Sequence, residues 1–323
     1  MSHQHILETQ GFEPGLLRAL SARAQAHERD LVRGTNTRIR GLSAVNLFYQ
    51  PSTRTHASFR WAETVMGMTI VYDTEHAGET SSEVKGESLA DTIRIHTGYA
   101  PIPSHLVVVV RHTLAGAAEE FAAHSGETHI INAGCGKSSG QHPTQSLLDV
   151  LFLFKVRPRL AEPTITMVGD LRNGRTARSL SYLARKAYPG LKKINFVSPS
   201  SLNMMQDIKE HLTAHSVPFS EVTNSEEFPD VLRQTDVLYM TRIQKEDLGG
   251  EEREKFEELQ VAFQLNSESI QHLPSDAAIL HPLPRNNEIL PEVDSDPRAL
   301  YFKQAKYAIP VRMATLELVF GKL

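Results

Sequence analysis

The 323-residue sequence contains a single cysteine, Cys135. An internal disulfide is therefore impossible, and a reducing compartment, the cytoplasm, is the simpler expectation. Long apolar runs are missing too. The most apolar short stretch, Leu106–Val110, is far too short to span a membrane, and the polar start, Met1 to Glu8, has no apolar centre of the signal-peptide kind. Neither sign of charge dominates: 34 Lys and Arg stand against 38 Asp and Glu, for a net −4. That removes any global electrostatic case for nucleic acid or an anionic membrane as partner, so an anion site must be local. Repeats, low-complexity tracts and long Gly/Ser linkers are absent. No His/Cys or His/carboxylate group has metal-ligand spacing, the His3/His5 pair reading as a polar tail, and no serine sits in a triad context. Neither a metal nor a cofactor is expected.

What is present is an ordinary globular composition, 40% hydrophobic and 22% charged, in a chain too long for one comfortable core. Short β-branched or aromatic runs recur at Val45–Tyr49, Thr69–Tyr72, Leu106–Val110 and His129–Asn132, then at Thr164–Val168, Ile194–Val197, Val237–Met240 and Ala278–Leu280. Amphipathic stretches such as Ser52–Met66, Thr144–Phe154 and Arg175–Ala187 lie between them. Such alternation predicts βαβ units. The expected fold class is α/β: two lobes, each a mainly parallel sheet flanked by helices, with the active site in the cleft between them. The lobes are read as 1–147 and 148–302. Phe302–Phe320 reads as ending in a closing helix that Pro310 starts rather than interrupts.

Ligands of open parallel sheets sit at the carboxyl ends of strands, and the chemically suggestive residues follow the strands. Val45–Tyr49 leads through Gln50 and Pro51 into Ser52-Thr53-Arg54-Thr55, which opens a helix. The N–H groups and dipole of a helix start favour an anion, the hydroxyls add donors, and Arg54 offers a planar charged fork. Plain N-capping by Ser52 or Thr53 is the ordinary alternative, but capping calls for neither an arginine nor four consecutive polar groups. Ser81 to Thr92 reads as a mobile polar loop ending at Gly86, then a helix; Lys85 reaches for a phosphate or is simply solvated. Arg111, after Leu106–Val110, points at the ligand crevice or into solvent.

Asn132 to Gly136 runs a strand into a Gly-rich turn, and Gln141-His142-Pro143-Thr144-Gln145 starts a helix. His142 and Gln145 can face one ligand, and imidazole and amide suit a carbonyl oxygen and an NH₂ group; a satisfied structural histidine is the competing account. Gly169-Asp170 lacks the Gly-x-Gly-x-x-Gly spacing of a dinucleotide site. Arg172 and Arg175 at that helix start are electrostatically misplaced unless an anion binds there. Arg242 and Gln244 after Val237–Met240 suit a carboxylate, or face solvent. Pro282 and Pro284 bracket a loop whose carbonyls face a ligand amine or merely form a rigid turn. The inventory is cationic and hydrogen-bonding, with no nucleophile. That suits a transfer in which the substrate amine attacks and the protein supplies positioning and charge.

In order and spacing these segments resemble the aspartate/ornithine carbamoyltransferase family, on its aspartate side, from about Leu42 to the end. The match runs through Pro51 to Thr55, Lys85 to Thr92, Val109 to His112, Asn132 to Gly134 with His142 to Gln145, Gly169 to Leu171 with Gly174 to Thr176, Tyr239 to Glu246, His281 to Arg285, and Tyr301 to Ala305 with Val311 to Ala314. The resemblance implies a carbamoyl phosphate-binding domain over 1–147, an aspartate-binding domain over 148–302, and a terminal helix, 303–323, packed back on the first. Ser52, Thr53, Arg54, Thr55 and Arg111 would bind phosphate; His142 would touch the carbamoyl oxygen; Gln145 and the Pro282-Leu283 backbone would take its NH₂. Arg175 and Arg242 would hold the carboxylates of L-aspartate, with Gln244 supporting Arg242. The loop of Ser81 and Lys85 would enter a neighbouring subunit's site, giving a homotrimer with shared sites; regulatory or dihydroorotase-type partner chains are compatible with it. Ornithine-type relatives usually carry His-Cys-Leu-Pro where this chain has His281-Pro282-Leu283-Pro284, which favours aspartate.

Several positions depart from the pattern. Gln50 stands where glutamate is common and Asp247 where arginine is, so the ion pair that links the domains on closure cannot form. His56 and Arg60 replace an arginine and a glutamate, Cys135 an aspartate or alanine, and Ala308 a glycine. These departures keep two alternatives open: a transferase for another amino acceptor, and a weakly active scaffold paralogue.

Overall fold

The computed structural model describes residues 4–35, 38–136, 139–245 and 248–323, and within these leaves out the side chains of Ser81 and Glu252. His3, Asp247 and the Ser81 side chain thus lie outside the described residues. The chain forms two units, Met1–Val156 with Tyr307–Leu323, and Arg157–Lys306. The crossings fall after Val156 and Lys306 rather than at 147 and 302. The first is displaced because the helix Pro143–Val156 is buried without a break from Pro143 to Leu153 and belongs whole to unit one.

Unit one holds strands β1 (His5–Ile6), β2 (Ser43–Phe48), β3 (Thr69–Thr74), β4 (Leu106–Arg111) and β5 (His129–Asn132), with helices α1 (Pro14–Arg33), α2 (Thr53–Val65), α3 (Ser81–Val84), α4 (Leu89–Tyr99), α5 (Ala117–His124) and α6 (Pro143–Val156). The sheet is parallel throughout, in the order β1-β5-β4-β2-β3. Leu106 to Val110 are buried without alternation, as a central strand covered on both faces must be. The chain runs from β2 through α2 to β3 on one side, then returns to β4 on the other side of β2. The sheet therefore reverses direction between β2 and β4, whose last residues, Phe48 and Arg111, are paired.

Unit two holds β6 (Thr164–Val168), β7 (Lys193–Val197), β8 (Phe219–Val222), β9 (Val237–Met240) and β10 (Ala278–Leu280), with α7 (Arg175–Ala187), α8 (Gln206–Ala214), α9 (Phe228–Leu232), α10 (Gly250–Glu254), α11 (Phe256–Val261) and α12 (Tyr301–Lys306). Its sheet, β10-β9-β6-β7-β8, is also parallel and reverses between β6 and β9, where Val168 pairs with Met240. The chain then returns to unit one as α13 (Ala308–Val319), with Pro310 in its first turn. Buried Glu317 of α13 accepts from Arg23 Nε and Nη2 at 2.5 Å and pairs with His27 Nε2 at 3.0 Å, which ties α13 to α1. Strands β1 and β8 are the two that patterning does not announce: one has two residues, and the other, Phe219-Ser220-Glu221-Val222, is a half-polar edge. Among the described residues no helix is long and apolar enough to cross a membrane, and no group of three or more His, Cys, Asp or Glu is placed to hold a metal ion.

Candidate active site

Reversal points of doubly wound sheets open the crevices where ligands bind, and each unit's marked residues gather at its own. In unit one, Phe48 hands over to Tyr49, Gln50, Pro51 and Ser52, the N-cap of α2. Ser52 makes no side-chain capping bond, so the ordinary capping account of this hydroxyl does not hold. Thr53 and Arg54 are exposed, and Thr55 is buried with its Oγ1 3.4 Å from His142 Nε2. His142 itself is buried, and its Nδ1 lies 3.3 Å from Thr144 Oγ1. Half-buried Arg111 donates from Nη1 to the Ala133 carbonyl at 3.1 Å.

The turn after β5 locks these groups together. Asn132 Oδ1 accepts from the backbone N–H of Gly134 and of Cys135, both at 2.8 Å. Gly134 has φ +110°, and a Cβ there would lie 2.6 Å from Arg111 Nη1 and 3.0 Å from His142 Cδ2. Glycine is thus required both by conformation and by the approach of two site residues. Gln145, buried on α6, donates from Nε2 to Asp149 Oδ1 at 2.8 Å. Thr55, Arg111 and His142 are therefore drawn to one place, with Gly134 as the wedge, and Gln145 follows His142 in the first turn of α6. His112 is not part of it: it is buried against the Tyr49 ring, centroids 4.5 Å apart, its Nδ1 accepts from the Leu114 N–H, and burial lowers its pKa.

Lys85 is exposed on the turn after α3, a one-turn helix where a loop was expected. The departures near the Ser52–Thr55 loop are local. His56 Nε2 meets Asp73 Oδ1 at 2.6 Å and Arg60 Nε meets Asp73 Oδ2 at 2.8 Å, so both replacements bracket one β3 carboxylate. Cys135 is a buried thiol outside any disulfide; its Sγ donates to the Val110 carbonyl at 3.6 Å and its backbone bridges to Gln141.

In unit two, β6 gives way to Gly169, where φ is +115° and a Cβ would lie 2.1 Å from the Thr241 carbonyl oxygen. The loops after β6 and β9 are thereby pressed together. Buried Asp170 accepts from the Asn173 N–H at 2.9 Å, closing the turn that presents half-buried Arg172 and Arg175 at the start of α7. From β9, Arg242 Nη2 donates to Gln244 Oε1 at 2.9 Å. After β10, the Leu283 N–H donates to His281 Nδ1 at 2.7 Å; Nε2 therefore carries the ring proton and its N–H donates to Glu288 Oε1 at 2.8 Å. Burial would raise the Glu288 carboxyl, but His281 and the N–H of Asn286 hold it below the ordinary range. Pro282 and Leu283 sit half-buried on this braced loop, Leu283 with φ +56° and a cis bond to Pro284.

Motif reading misses Gly134 as a wedge, Glu288 as the brace of His281, and two buried charges behind Gln145, namely Asp149 and Arg312. For the last two a signal exists. Asp149 interrupts the run Leu147 to Leu153 four residues after Gln145, and Arg312 interrupts the apolar α13.

Comparison with known proteins follows the same division. The family described as "Aspartate/ornithine carbamoyltransferase, carbamoyl-P binding domain" matches residues 4–155, and its "Asp/Orn binding domain" matches 161–319. A chloroplastic aspartate carbamoyltransferase of Oryza sativa subsp. japonica is 43% identical over 97% of this chain and 84% of its own length. The aspartate carbamoyltransferase catalytic subunit of Thermoplasma volcanium is 40% identical over 85% of this chain and 84% of its own. Among solved structures, aspartate transcarbamoylase of Trypanosoma cruzi in complex with carbamoyl phosphate and aspartate superposes with a TM-score of 0.85, at 33% identity, over 97% of this chain and 95% of that one. With matches spanning both units and both family domains, this chain belongs to the aspartate/ornithine carbamoyltransferase family.

Proposed function

We propose that this chain is an aspartate carbamoyltransferase: it passes the carbamoyl group of carbamoyl phosphate to the amine of L-aspartate, giving N-carbamoyl-L-aspartate and phosphate, an early step of pyrimidine synthesis. The observation that carries the reading is the convergence of Thr55, Arg111 and His142 around Gly134 at one reversal point, in a chain 43% identical to the rice enzyme. The α-amine attacks the carbamoyl carbon, a C–N bond forms, and the C–O bond to phosphate breaks. The amine's proton leaves with the phosphate.

The side chains supply positioning and charge. Ser52, Thr53, Arg54 and Thr55 at the N-terminus of α2, with Arg111, take the phosphate and the charge that grows on it. His142 donates to the carbamoyl oxygen; Gln145 and the Pro282-Leu283 backbone accept from its NH₂. Arg175 and Arg242 take the two carboxylates of aspartate, Arg242 held by Gln244. No protein nucleophile is needed, and the reaction requires no cofactor. Purified protein given both substrates should form ureido product; folded protein that forms none overturns the reading.

The same reading assigns Ser81 and Lys85 to a neighbouring subunit's site, in a homotrimer. Support comes from exposed Val71, Ile95, Tyr99 and Ile102, which line a cavity of about 550 Å³ together with Ser82 and Glu83. So large an apolar surface suits burial against another copy. Mixing two inactive variants, Arg54→Ala and Lys85→Ala, should restore part of the activity, since some hybrid sites carry neither change. A monomer by sedimentation would remove the shared site. The cytoplasm suits the lone buried thiol of Cys135.

A further inference from the structure

Behind the carbamoyl-facing residues, unit one buries two opposite charges that the reaction does not touch. Asp149 on α6 is fully buried, and Arg312 on α13 is the largest fully buried side chain among the described residues. Burying charge is unfavourable without partners, so the partners they keep are informative. Asp149 Oδ1 accepts from Gln145 Nε2 at 2.8 Å. Arg312 donates from Nη1 to the Thr144 carbonyl at 2.5 Å and lies over the Phe59 ring, 4.8 Å from its centroid. Burial lowers the Arg312 pKa to about 10 and the Asp149 carboxylate pulls it back up, so the guanidinium stays charged at neutral pH beside that carboxylate. Arg312 thus grips the backbone between His142 and Gln145 while balancing the charge that Gln145 leans on.

The orientation of the Gln145 amide follows from this. A carboxylate only accepts, so it must face the amide NH₂. The Oε1 atom, which can only accept, is then turned away from the carboxylate and toward a ligand, while one of the two amide N–H groups stays committed to Asp149. A carbamoyl group offers an oxygen and an NH₂. Oε1 fits the NH₂ and repels the oxygen.

We propose that Asp149 and Arg312 are positioning residues for carbamoyl transfer. Asp149 fixes the Gln145 amide so that Oε1 meets the carbamoyl NH₂, and Arg312, brought by the last helix of the chain, holds Asp149 and the Thr144 backbone in place. The role rests on the assignment of Gln145 to the carbamoyl NH₂ made above, and it goes beyond it by naming what sets the direction of that contact. Asparagine at 149 can present either its oxygen or its NH₂ to Gln145, so the amide loses its fixed direction.

Four variants test it: Asp149→Asn, Gln145→Ala, their combination, and the charge-neutral double Asp149→Asn/Arg312→Met. Asp149→Asn should lower kcat/KM for carbamoyl phosphate about 10- to 100-fold, the range of a lost or misdirected buried hydrogen bond. Combined with Gln145→Ala it should add less than about twofold, since it acts through that residue. The single variant leaves Arg312 buried without its counter-charge and should melt early; the charge-neutral double should regain melting temperature but not kcat/KM. Additive losses in the combination, or activity that recovers along with stability in the charge-neutral double, would overturn the proposal. A readout without substrate separates this from the parent reading. In ligand-free wild type the Gln145 side-chain NH₂ should exchange slowly with solvent, and in Asp149→Asn quickly. A quickly exchanging wild-type amide defeats the positioning role even if the enzyme is active. Absent turnover with a protected amide defeats only the assigned reaction.

Discussion

Unit one keeps Glu63 fully buried against a single amide, with Asn46 Nδ2 donating to Oε2 at 2.9 Å. Unit two keeps Glu288 almost as deep, 4% exposed, against the His281 imidazole and the Asn286 N–H. The outcomes are opposite. Burial pushes Glu63 up to about 7, with nearby Asp73 adding to the rise and Arg60 opposing it, whereas His281 leaves Glu288 below the ordinary range despite its burial. Depth alone does not set the charge of a buried acid; the number and kind of donors do. The candidate half-sites differ in the same way. In unit one, Gln145 is held by the carboxylate of Asp149, with Arg312 behind it. In unit two, Arg242 is held by the neutral oxygen of Gln244. The amide of Gln145 leans on a buried charge, whereas Arg242, itself charged, leans on a neutral amide.

The sharpest test of that contrast removes one arginine from each half. Arg54→Ala should reduce kcat by about 10³-fold or more, because the proposed mechanism sets it on the phosphate, where transition-state charge accumulates. Arg242→Ala should chiefly raise KM for aspartate, about 10- to 100-fold, as loss of a charged carboxylate contact does. Steady-state kinetics with each substrate varied separates the two. If both variants lose the same parameter, the division of labour between the units is wrong.

The wedge glycines give a smaller and differently shaped effect. A Cβ at Gly169 meets backbone, the Thr241 carbonyl oxygen at 2.1 Å, at φ +115°. Neither loop can yield cheaply, so Gly169→Ala should destabilise the protein by about 2–4 kcal/mol, combining overpacking with a strained backbone. At Gly134 the nearest atom is Arg111 Nη1, the far end of a flexible side chain, at 2.6 Å. Gly134→Ala should therefore cost less stability, about 1–2 kcal/mol for the backbone, while moving Arg111 and His142 and weakening carbamoyl phosphate binding. Thermal unfolding and calorimetric titration check both. Equal stability losses with unchanged binding would erase the distinction.

Much of this arrangement is legible in the sequence, for identifiable reasons. Most of the eight strand runs show because buried parallel strands read as unbroken apolar segments, while largely exposed β3 shows only through its β-branched and aromatic residues; the Ser52–Thr55 loop stands out because Arg54 and its hydroxyl neighbours exceed what an ordinary cap requires. The closing helix is visible through Pro310, but its partners Arg23 and His27 on α1 are not, since nothing in a linear pattern pairs residues nearly the whole chain apart. The same holds for Arg312, whose purpose emerges only when α13 is laid against α6 and Phe59. Gly134 is visible as a turn residue but not as a wedge, because the side chains it admits come from two other segments. The pairing of His56 and Arg60 with Asp73 hides for the same reason: Asp73 lies on β3, and the lost helical pair is all the sequence displays.

The two buried glutamates make the smallest prediction and the one most specific to the contrast. For Glu63 the folded-state value, about 7, exceeds the ordinary 4.5, so the native state binds more protons than the unfolded chain between them. Its stabilising contribution is complete below about 4.5 and is lost as pH rises through about 7. At about 1.4 kcal/mol per unit the loss is at most about 3 kcal/mol, less where the neighbourhood relaxes around the charge. Glu63→Gln removes the ionisation but keeps an acceptor for Asn46. Its stability relative to wild type should therefore climb between pH 5 and pH 8, as followed by urea unfolding. Glu288 has the reverse sign. Its depressed folded-state value contributes stability above the ordinary 4.5, lost as pH falls through that lower value. Glu288→Gln should be most deficient near neutrality and should converge on wild type in acid. Two parallel curves, with neither gap changing with pH, would mean that the donors around these acids do not set their charge.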